Sequence, residues 1–429
     1  MRTFLLIAGR STRFWPLADK NLFSICGKTL LEHQVERLQK AGCTDIVLVG
    51  GEHNLETAKT IYPDMPTVKQ ENLNLGMRGA MLSILKAYPN DPLFIVSGND
   101  VVDPSIYTTL LSNSNDGAIL AYKVGTYFPG GYLTIDQDRV TGIVEKPGEG
   151  NEPSNLINLV AHVHQDAHAL YEALQNVDES TDDGYEQALA KLFTTHVYNS
   201  VSYNGPWQSV KYPWHILDLS DLLLSEITEQ SIHSSVEIHS SAEIIGNVVI
   251  EEGARILHNA VVRGPAYIGK NVIVANNALV RGSSIGRNCV VGFSTEVKSS
   301  VLHGNVWTHM NYLGDSVIGN NVSFGAGTVT GNLRLDEEEI FSTVKDEKIN
   351  THKIKCGTII GDNCRIGIHV SINPGIKIGS GSFISSKTLL SSDVPDTMFV
   401  VTKNGAIEMK KNTAILSTSD DREKFRNKV

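Results

Sequence analysis

Residues 237–280 read EIHSSAEIIGNVVIEEGARILHNAVVRGPAYIGKNVIVANNALV, and an aliphatic side chain falls on every sixth position: Ile238, Ile244, Ile250, Ile256, Val262, Ile268, Val274 and Val280. The beat returns at Ile360, Ile366, Ile372, Ile378, Ile384 and Leu390, and glycine often follows an aliphatic residue, as in Ile268-Gly269, Ile285-Gly286 and Ile378-Gly379. Neither the 3.6-residue period of a helix nor the two-residue period of a strand singles out every sixth residue. A prism with three six-residue faces does. Each coil then takes about eighteen residues and stacks its aliphatic corners into one column. The expected fold of 232–401 is a left-handed parallel β-helix of hexapeptide repeats.

One stretch breaks the rhythm. Between Asn332 and Ile359 the beat fails, and the sequence Leu335 to Lys345 carries four consecutive acidic residues, Asp336 to Glu339. Such a stretch supplies no rungs, so an insertion near 333–358 loops out of a coil, either as a plain surface hairpin or as a lid over a site.

The chain has 429 residues, 41% of them hydrophobic, which is enough for two or three cores. Its net charge of −10 disfavours a nucleic-acid backbone as partner. Cys26, Cys43, Cys289, Cys356 and Cys364 are scattered without a CxxC, so neither a disulfide framework nor structural zinc is expected. The apolar run Phe4 to Ala8 is short and precedes Arg10 and Arg13, unlike a secretory leader. No stretch reaches the roughly 20 apolar residues that span a bilayer. A cytoplasmic chain without a membrane partner is the expectation.

Upstream of the repeats, residues 1–222 alternate strand and helix patterns. Phe4 to Ala8 ends in glycine and polar residues, Leu30 to Ala41 has helical periodicity, Asp45 to Gly50 is a second strand, and a helix over about 79–87 precedes strand Leu93 to Val96. This order predicts a doubly wound, Rossmann-like α/β domain whose ligands sit beyond the carboxyl ends of its strands. Trp214 to Ile227 reads as a linking helix, with 223–231 as linker proper, and 402–429 as a tail of helix or disorder. The first strand feeds Gly9-Arg10-Ser11-Thr12-Arg13, where small residues let backbone N–H groups approach a phosphate and Arg13 can fork onto its oxygens. An ordinary turn with surface cations satisfies the same composition. It is not a P-loop, since the GxxxxGK[ST] spacing is absent.

Leu6 to Arg13, then Lys20 and Cys26-Gly27-Lys28-Thr29-Leu30, resembles the opening of sugar-phosphate nucleotidyltransferases. Collinear matches follow at Asn74-Leu75-Gly76, Asn99-Asp100, Gly142 to Pro147, Ser154 to Asn158, Gly184-Tyr185-Glu186 and Trp207. The resemblance implies attack by a sugar 1-phosphate on the α-phosphorus of a nucleoside triphosphate. Gly9 and Arg13 would hold the triphosphate, Lys20 the α-phosphate, Glu71 and Gly76 the base side, and Asp100 a Mg²⁺ ion. Glu145 and Lys146 would line the sugar-phosphate side, and Asn158 and Glu186 would address sugar hydroxyls. UTP or dTTP is the favoured nucleotide. Departures from the pattern are Ser11 for a glycine, Asp19 for the proline before Lys20, Asn99 for the glycine before Asp100, Ser209 at the second metal position, and Glu71 where a glutamine reads the base. A carboxylate only accepts hydrogen bonds, which suits guanine better than uracil, but a one-residue shift would let Gln70 read the base and keeps UTP or dTTP ahead.

In the second half, Thr308 to Asp315 followed by Ser323 to Asn332 resembles the acetyltransferase half of bifunctional GlcNAc-1-phosphate uridylyltransferases, in the layout of archaeal nucleotidyltransferase/acetyltransferases. An amine attacking a thioester needs a base of near-neutral pKa, and imidazole suits that task. The resemblance makes His309 that base, with Tyr312 and Asn332 on the amino sugar and Arg281 and Lys298 on its phosphate. Gly325, Ala326 and Gly327 would leave room for the pantetheine arm of acetyl-CoA, and Ser323 replaces a usual asparagine. Prisms of this kind pack three around an axis, so a homotrimer is implied. The expected protein is a bifunctional enzyme acting on an amino-sugar 1-phosphate, acetyl-CoA, a sugar 1-phosphate and a nucleoside triphosphate. Its rivals are an enzyme with one degenerate half and a non-catalytic regulatory subunit that binds sugar nucleotides.

Overall fold

The computed structural model describes residues 1–113, 115–178 and 183–416. In chain order the first part comprises β1 (Arg2–Leu6), β2 (Ser24–Ile25), β3 (Lys28–Thr29), α1 (Leu30–Lys40), β4 (Ile46–Gly50), α2 (Leu55–Ile61), β5 (Thr67–Lys69), α3 (Gly76–Ala87), β6 (Leu93–Ser97), β7 (Asp100–Val102) and α4 (Ser105–Ser112). There follow β8 (Gly117–Lys123), β9 (Gly131–Asp136), β10 (Arg139–Glu145), β11 (Leu156–His164), α5 (Ala167–Gln175), α6 (Gly184–Thr195), β12 (Tyr198–Tyr203), β13 (Trp207–Ser209) and α7 (His215–Ser225).

The chain forms two compact units whose boundary does not follow the sequence. The first holds Met1–Arg10 and Leu30–Ser209; the second holds Ser11–Thr29 and Val210–Val429. The segment carrying Arg13 and Lys20 therefore packs as part of the repeat-bearing unit.

The first unit is built on a nine-stranded sheet in the order β5-β4-β1-β6-β11-β8-β12-β10-β9. β5, β4, β1 and β6 run parallel, and β11 enters antiparallel beside β6. Strands β4 and β6 are buried along their whole length, as a parallel sheet covered on both faces requires. From β1 the chain crosses to β4 and β5 on one side, then returns to β6 on the other. That reversal opens a crevice at the carboxyl ends of β1 and β6, the usual ligand position of an open α/β sheet.

In the second unit the six-residue beat builds three faces of parallel rungs stacked in register: two eight-stranded sheets, and a third face whose four- and five-stranded pieces are bridged through Trp307. Ile250 lies over Ile268, which lies over Ile285, Leu302, Ile318, Ile360 and Ile378 in turn. These side chains belong to a continuous buried column, whereas Ile238 in the opening coil is exposed because no coil precedes it. Asparagines with left-handed backbone recur at the corners, among them Asn259, Asn277, Asn288, Asn305, Asn321 and Asn363. Asparagine visits this region more readily than other non-glycine residues.

The insertion is a hairpin, Phe341–Val344 paired antiparallel with Glu347–Asn350. Its foot is pinned by buried Ile340 and by Lys377, whose fully buried ammonium donates to Ser342 Oγ at 2.9 Å, to the Thr343 carbonyl and to Asp393. Met398–Lys403 and Ala406–Lys411 close the last coil as an antiparallel pair, where the tail had been expected as helix or disorder; residues 417–429 lie outside the described residues. No described helix is long and apolar enough to cross a membrane.

Within the second unit, Ser11–Thr29 lies along the coils. The Cys26 N–H donates to Ser284 Oγ at 2.8 Å, and the Phe23 ring meets the His303 ring at 5.0 Å. The Trp15 indole N–H lies 3.1 Å from both oxygens of Asp396, with the Lys377 ammonium 5.5 Å above the indole. A Cβ on Gly27 would stand 2.1 Å from the Tyr267 hydroxyl, so only glycine fits there.

Candidate functional site

At the carboxyl edge of the first unit, Gly9 is exposed, and Arg10 donates to Asn74 Oδ1 at 2.9 Å, tying the turn after β1 to the turn before α3. That second turn ends at Gly76, whose φ of 51° is a conformation glycine adopts at no steric cost. Buried Gln70 braces it, donating to the Asn72 and Gly76 carbonyls at 3.0 and 2.8 Å. The Glu71 carboxylate is exposed and accepts from Lys86 of α3 at 2.7 Å. That pairing holds the carboxyl of Glu71 below its ordinary value.

In the segment 11–29, Arg13 is exposed and Lys20 half-buried. Two of the departures act here as loop closures. Ser11 Oγ accepts from the Lys20 N–H at 3.3 Å, and Asp19 accepts from the N–H groups of Asn21 and Leu22 at 2.7 and 3.3 Å.

Asp100 opens β7, and its cross-strand partner in β13 is Ser209. The family resemblance puts a second metal position at Ser209, and the ladder sets that residue directly opposite Asp100. The Trp207 indole donates to Asp100 Oδ1 at 3.2 Å, and buried Gln34 of α1 donates to the carbonyls of Ser97 and Asp100 at 3.0 and 2.9 Å. Next in the chain, Asn99 Oδ1 is buried without a protein partner. No group of three or more His, Cys, Asp or Glu residues is arranged as a metal cluster among the described residues. One carboxylate beside an unpartnered amide oxygen suits Mg²⁺, which is commonly held by one or two carboxylates plus substrate phosphates.

Glu145, Lys146 and Glu186 form a third group. Lys146 pairs with Glu145 at 3.0 Å and has a left-handed φ of 43°. Burial, and then the charge of Glu145, push the Glu186 carboxyl up to about 8. Asn158 is half-buried on β11, its Oδ1 2.5 Å from His162 Nε2. A carboxyl raised in the fold favours folding while protonated, so its contribution is full below the ordinary carboxylate range and fades as pH rises toward 8. Glu186→Gln is therefore expected to show a smaller fall in melting temperature between pH 5 and 8 than the parent protein. Equal slopes in thermal melts would mean that Glu186 ionises without cost.

The second unit carries the other candidate site on adjacent rungs. Arg281, Lys298 and Gly314 are in register, as are Leu279, Glu296 and Tyr312. Each cation has its own carboxylate: Arg281 meets Glu296 at 2.6 Å, and Lys298 meets Asp315 at 2.9 Å in a largely buried pair. Asn332 donates to the Tyr312 hydroxyl at 3.2 Å and to Asp315. Lys298 and Asn332 thus converge on Asp315, and Tyr312 joins them through Asn332. Sequence reading quoted Asp315 within the motif yet gave it no role. A Cβ on Gly314 would stand 2.6 Å from the Tyr312 hydroxyl, so glycine leaves room for the ring.

His309 is exposed on the neighbouring corner. Its backbone N–H donates to Asn311, whose buried amide in turn donates to the carbonyls of Gly325 and Thr328 at 2.9 and 3.1 Å. Left-handed residues recur one position on, at Ser294, Met310, Gly327 and His369, which aligns Phe293, His309, Ala326 and Ile368 in one corner column. Phe293 and Ile368 are 43% and 47% exposed, so the imidazole stands in an apolar stripe open to solvent. Gly325 and Gly327 have a packing role as well: a Cβ would meet the backbone of Gly367 and Ile368 at 2.6 Å and the His369 ring at 2.4 Å.

Compared with known proteins, residues 3–195 match the MobA-like NTP transferase domain, and residues 247–282 and 357–392 match the bacterial transferase hexapeptide family of six repeats. The bifunctional protein GlmU of Methanococcus maripaludis is 35% identical over 421 residues, covering 96% of this chain and all of that protein. The bifunctional sugar-1-phosphate nucleotidylyltransferase/acetyltransferase of Sulfurisphaera tokodaii is 33% identical over 401 residues, covering 92% of this chain and 98% of its own length. GlmU of Methanocaldococcus jannaschii is 32% identical over 418 residues, covering 96% of this chain and its own entire length. With relatives more than 30% identical over nearly its whole length, and with family matches in both of its parts, the chain belongs to the family of bifunctional GlmU-type nucleotidyltransferase/acetyltransferase enzymes.

Proposed function

We propose that the second unit transfers an acetyl group from acetyl-CoA to the amine of an amino-sugar 1-phosphate, and that Asp100 and its neighbours serve nucleotidyl transfer from UTP or dTTP to a sugar 1-phosphate. The observation that carries the first assignment is His309 in an open apolar column beside the Lys298–Asp315–Asn332–Tyr312 cluster. The amine nitrogen bonds to the thioester carbon while His309 takes the amine proton; the carbon–sulfur bond then breaks and the departing thiolate is protonated. Tyr312 and Asn332 address the sugar, and Arg281 and Lys298 meet its phosphate by sharing their carboxylate partners. Gly325, Ala326 and Gly327 border the stripe along which the pantetheine arm would lie.

In nucleotidyl transfer, a phosphate oxygen of the sugar 1-phosphate bonds to the α-phosphorus and the bond to the pyrophosphate oxygen breaks. Gly9 borders the triphosphate. Glu71 and Gly76 border the base, Glu145 and Lys146 the sugar phosphate, and Asn158 and Glu186 the sugar hydroxyls. Asp100 would hold Mg²⁺, which neutralises the meeting anions when bound. A homotrimer through the coils would bury the column of Phe293 and Ile368, and sedimentation velocity reads that state.

The deciding experiment is a panel of nucleoside triphosphates and hexose 1-phosphates followed by pyrophosphate release, beside a thiol-release assay with acetyl-CoA and amino-sugar 1-phosphates. A protein inactive in both would instead be a binding subunit. Because Ser209 faces Asp100, Ser209→Asp is expected to lower the Mg²⁺ concentration giving half-maximal pyrophosphate release. An unchanged concentration would place the ion elsewhere.

A further inference from the structure

Behind Asn158 lies a chain of buried side chains that the proposed chemistry does not use. His162 Nε2 is 2.5 Å from Asn158 Oδ1, and His162 Nδ1 is 2.7 Å from the Tyr185 hydroxyl. That hydroxyl is 2.9 Å from His164 Nε2, and His164 Nδ1 is 2.8 Å from the Tyr198 hydroxyl. Both imidazoles are fully buried, and Tyr185 and Tyr198 are 1% and 2% exposed.

The first contact depends on an irregularity of β11. Four residues along a regular strand span about 13 Å, too far for Asn158 and His162 to touch. Opposite β8, however, Leu159 pairs with Leu120 while His162 pairs with the very next residue, Ile119. The bulge shortens the path and turns both side chains together, which is how bulges re-aim residues beside active sites.

The direction of the hydrogen bonds then follows from donor counting. With neutral imidazoles the chain runs one way or the other. If Tyr198 donates to His164 Nδ1, then His164 Nε2–H donates to Tyr185, Tyr185 donates to His162 Nδ1, and His162 Nε2–H donates to Asn158 Oδ1. Every hydroxyl and ring N–H is used. Reversed, the chain leaves the buried Tyr198 hydroxyl hydrogen without an acceptor, a costly defect. Burial keeps both rings neutral, lowering His162 well below its ordinary value and His164 to about 3.

We infer that His162, held by Tyr185, His164 and Tyr198, is a positioning residue that fixes the side-chain amide of Asn158 with its oxygen inward and its N–H groups toward the sugar. Asn158 then selects sugars that offer a hydroxyl oxygen as acceptor at that position. The inference rests on the sugar-side assignment of Asn158 proposed above.

Two measurements test it. In ¹⁵N-histidine spectra of the parent protein, both rings are expected as neutral Nε2–H tautomers; an Nδ1–H tautomer at His162 overturns the inference whatever the enzyme's activity. In pyrophosphate-release assays, His162→Phe is expected to raise KM for the sugar 1-phosphate about tenfold, the scale of one lost hydrogen bond, with KM for the triphosphate unchanged. Thiol release from acetyl-CoA should also stay at the parent rate. Tyr198→Phe, which removes only the distal hydroxyl, is expected to shift the same KM in the same direction by less, and serves if His162→Phe does not fold. A raised sugar KM in Asn158→Ala alone, with both chain variants normal, overturns the inference. Normal values in Asn158→Ala as well overturn the sugar-side assignment, and the inference with it.

Discussion

His309→Ala is expected to lower the turnover of acetyl transfer by roughly 10²–10⁴-fold, the contribution of one positioned acid–base group. Pyrophosphate release should continue at the parent rate, since His309 is fixed through Asn311 to the carbonyls of Gly325 and Thr328 within the coils. The substitution leaves the backbone N–H that Asn311 accepts, so the corner keeps its shape. Thiol release with acetyl-CoA and a panel of amino-sugar 1-phosphates measures the loss, and an unfolding scan verifies the fold. Near-normal thiol release would remove His309 from the reaction and leave the Tyr312–Asn332–Asp315 cluster without a base.

The complementary loss is expected at the other site. Asp100→Ala should reduce pyrophosphate release on the order of 10²–10³-fold, the scale for deleting one electrostatic group aimed at developing charge. Acetyl transfer should not change. Asp100→Asn separates charge from packing, because an amide oxygen still accepts from the Trp207 indole while carrying no negative charge. Equal losses in both variants would assign the effect to the charge. An Asn variant with parent activity would show that Asp100 serves only to hold Trp207 in place.

Much of the fold was legible because its signals are periodic. The sixth-residue beat of Ile250, Ile256, Val262 and Ile268 is itself the geometry of a three-faced coil, and the structure buries each of those residues. The doubly wound half was readable from buried apolar runs such as Ile46–Gly50 and Leu93–Ser97. Composition did not reveal the segment 11–29 as part of the second unit. The contacts that decide it join Cys26 to Ser284 and Trp15 to Asp396, more than 250 residues apart in each case.

Sites were legible where a motif is local. Tyr312, Asp315 and Asn332 lie within one stretch and are joined by hydrogen bonds from Asn332, while His309 stands exposed on the neighbouring corner. Side-chain direction was not legible. Nothing in the sequence says that Glu71 turns to Lys86 fifteen residues on, or that a bulge sets His162 against Asn158. The family resemblance put only a second metal position at Ser209; its pairing with Asp100 comes from the antiparallel ladder of β7 and β13.

The seating of Ser11–Thr29 among the coils bears on how such a gene can change. A split or duplication after the first 222 codons would copy every strand of the sheet, yet it would strand the loop bearing Arg13 and Lys20 without Ser284, His303, Lys377 and Asp396. An exchange of the second half would have to keep a side chain at position 267 that leaves room for the turn at Gly27. The segment 11–29, although early in the chain, therefore depends for its seat on residues encoded 258 to 381 codons later.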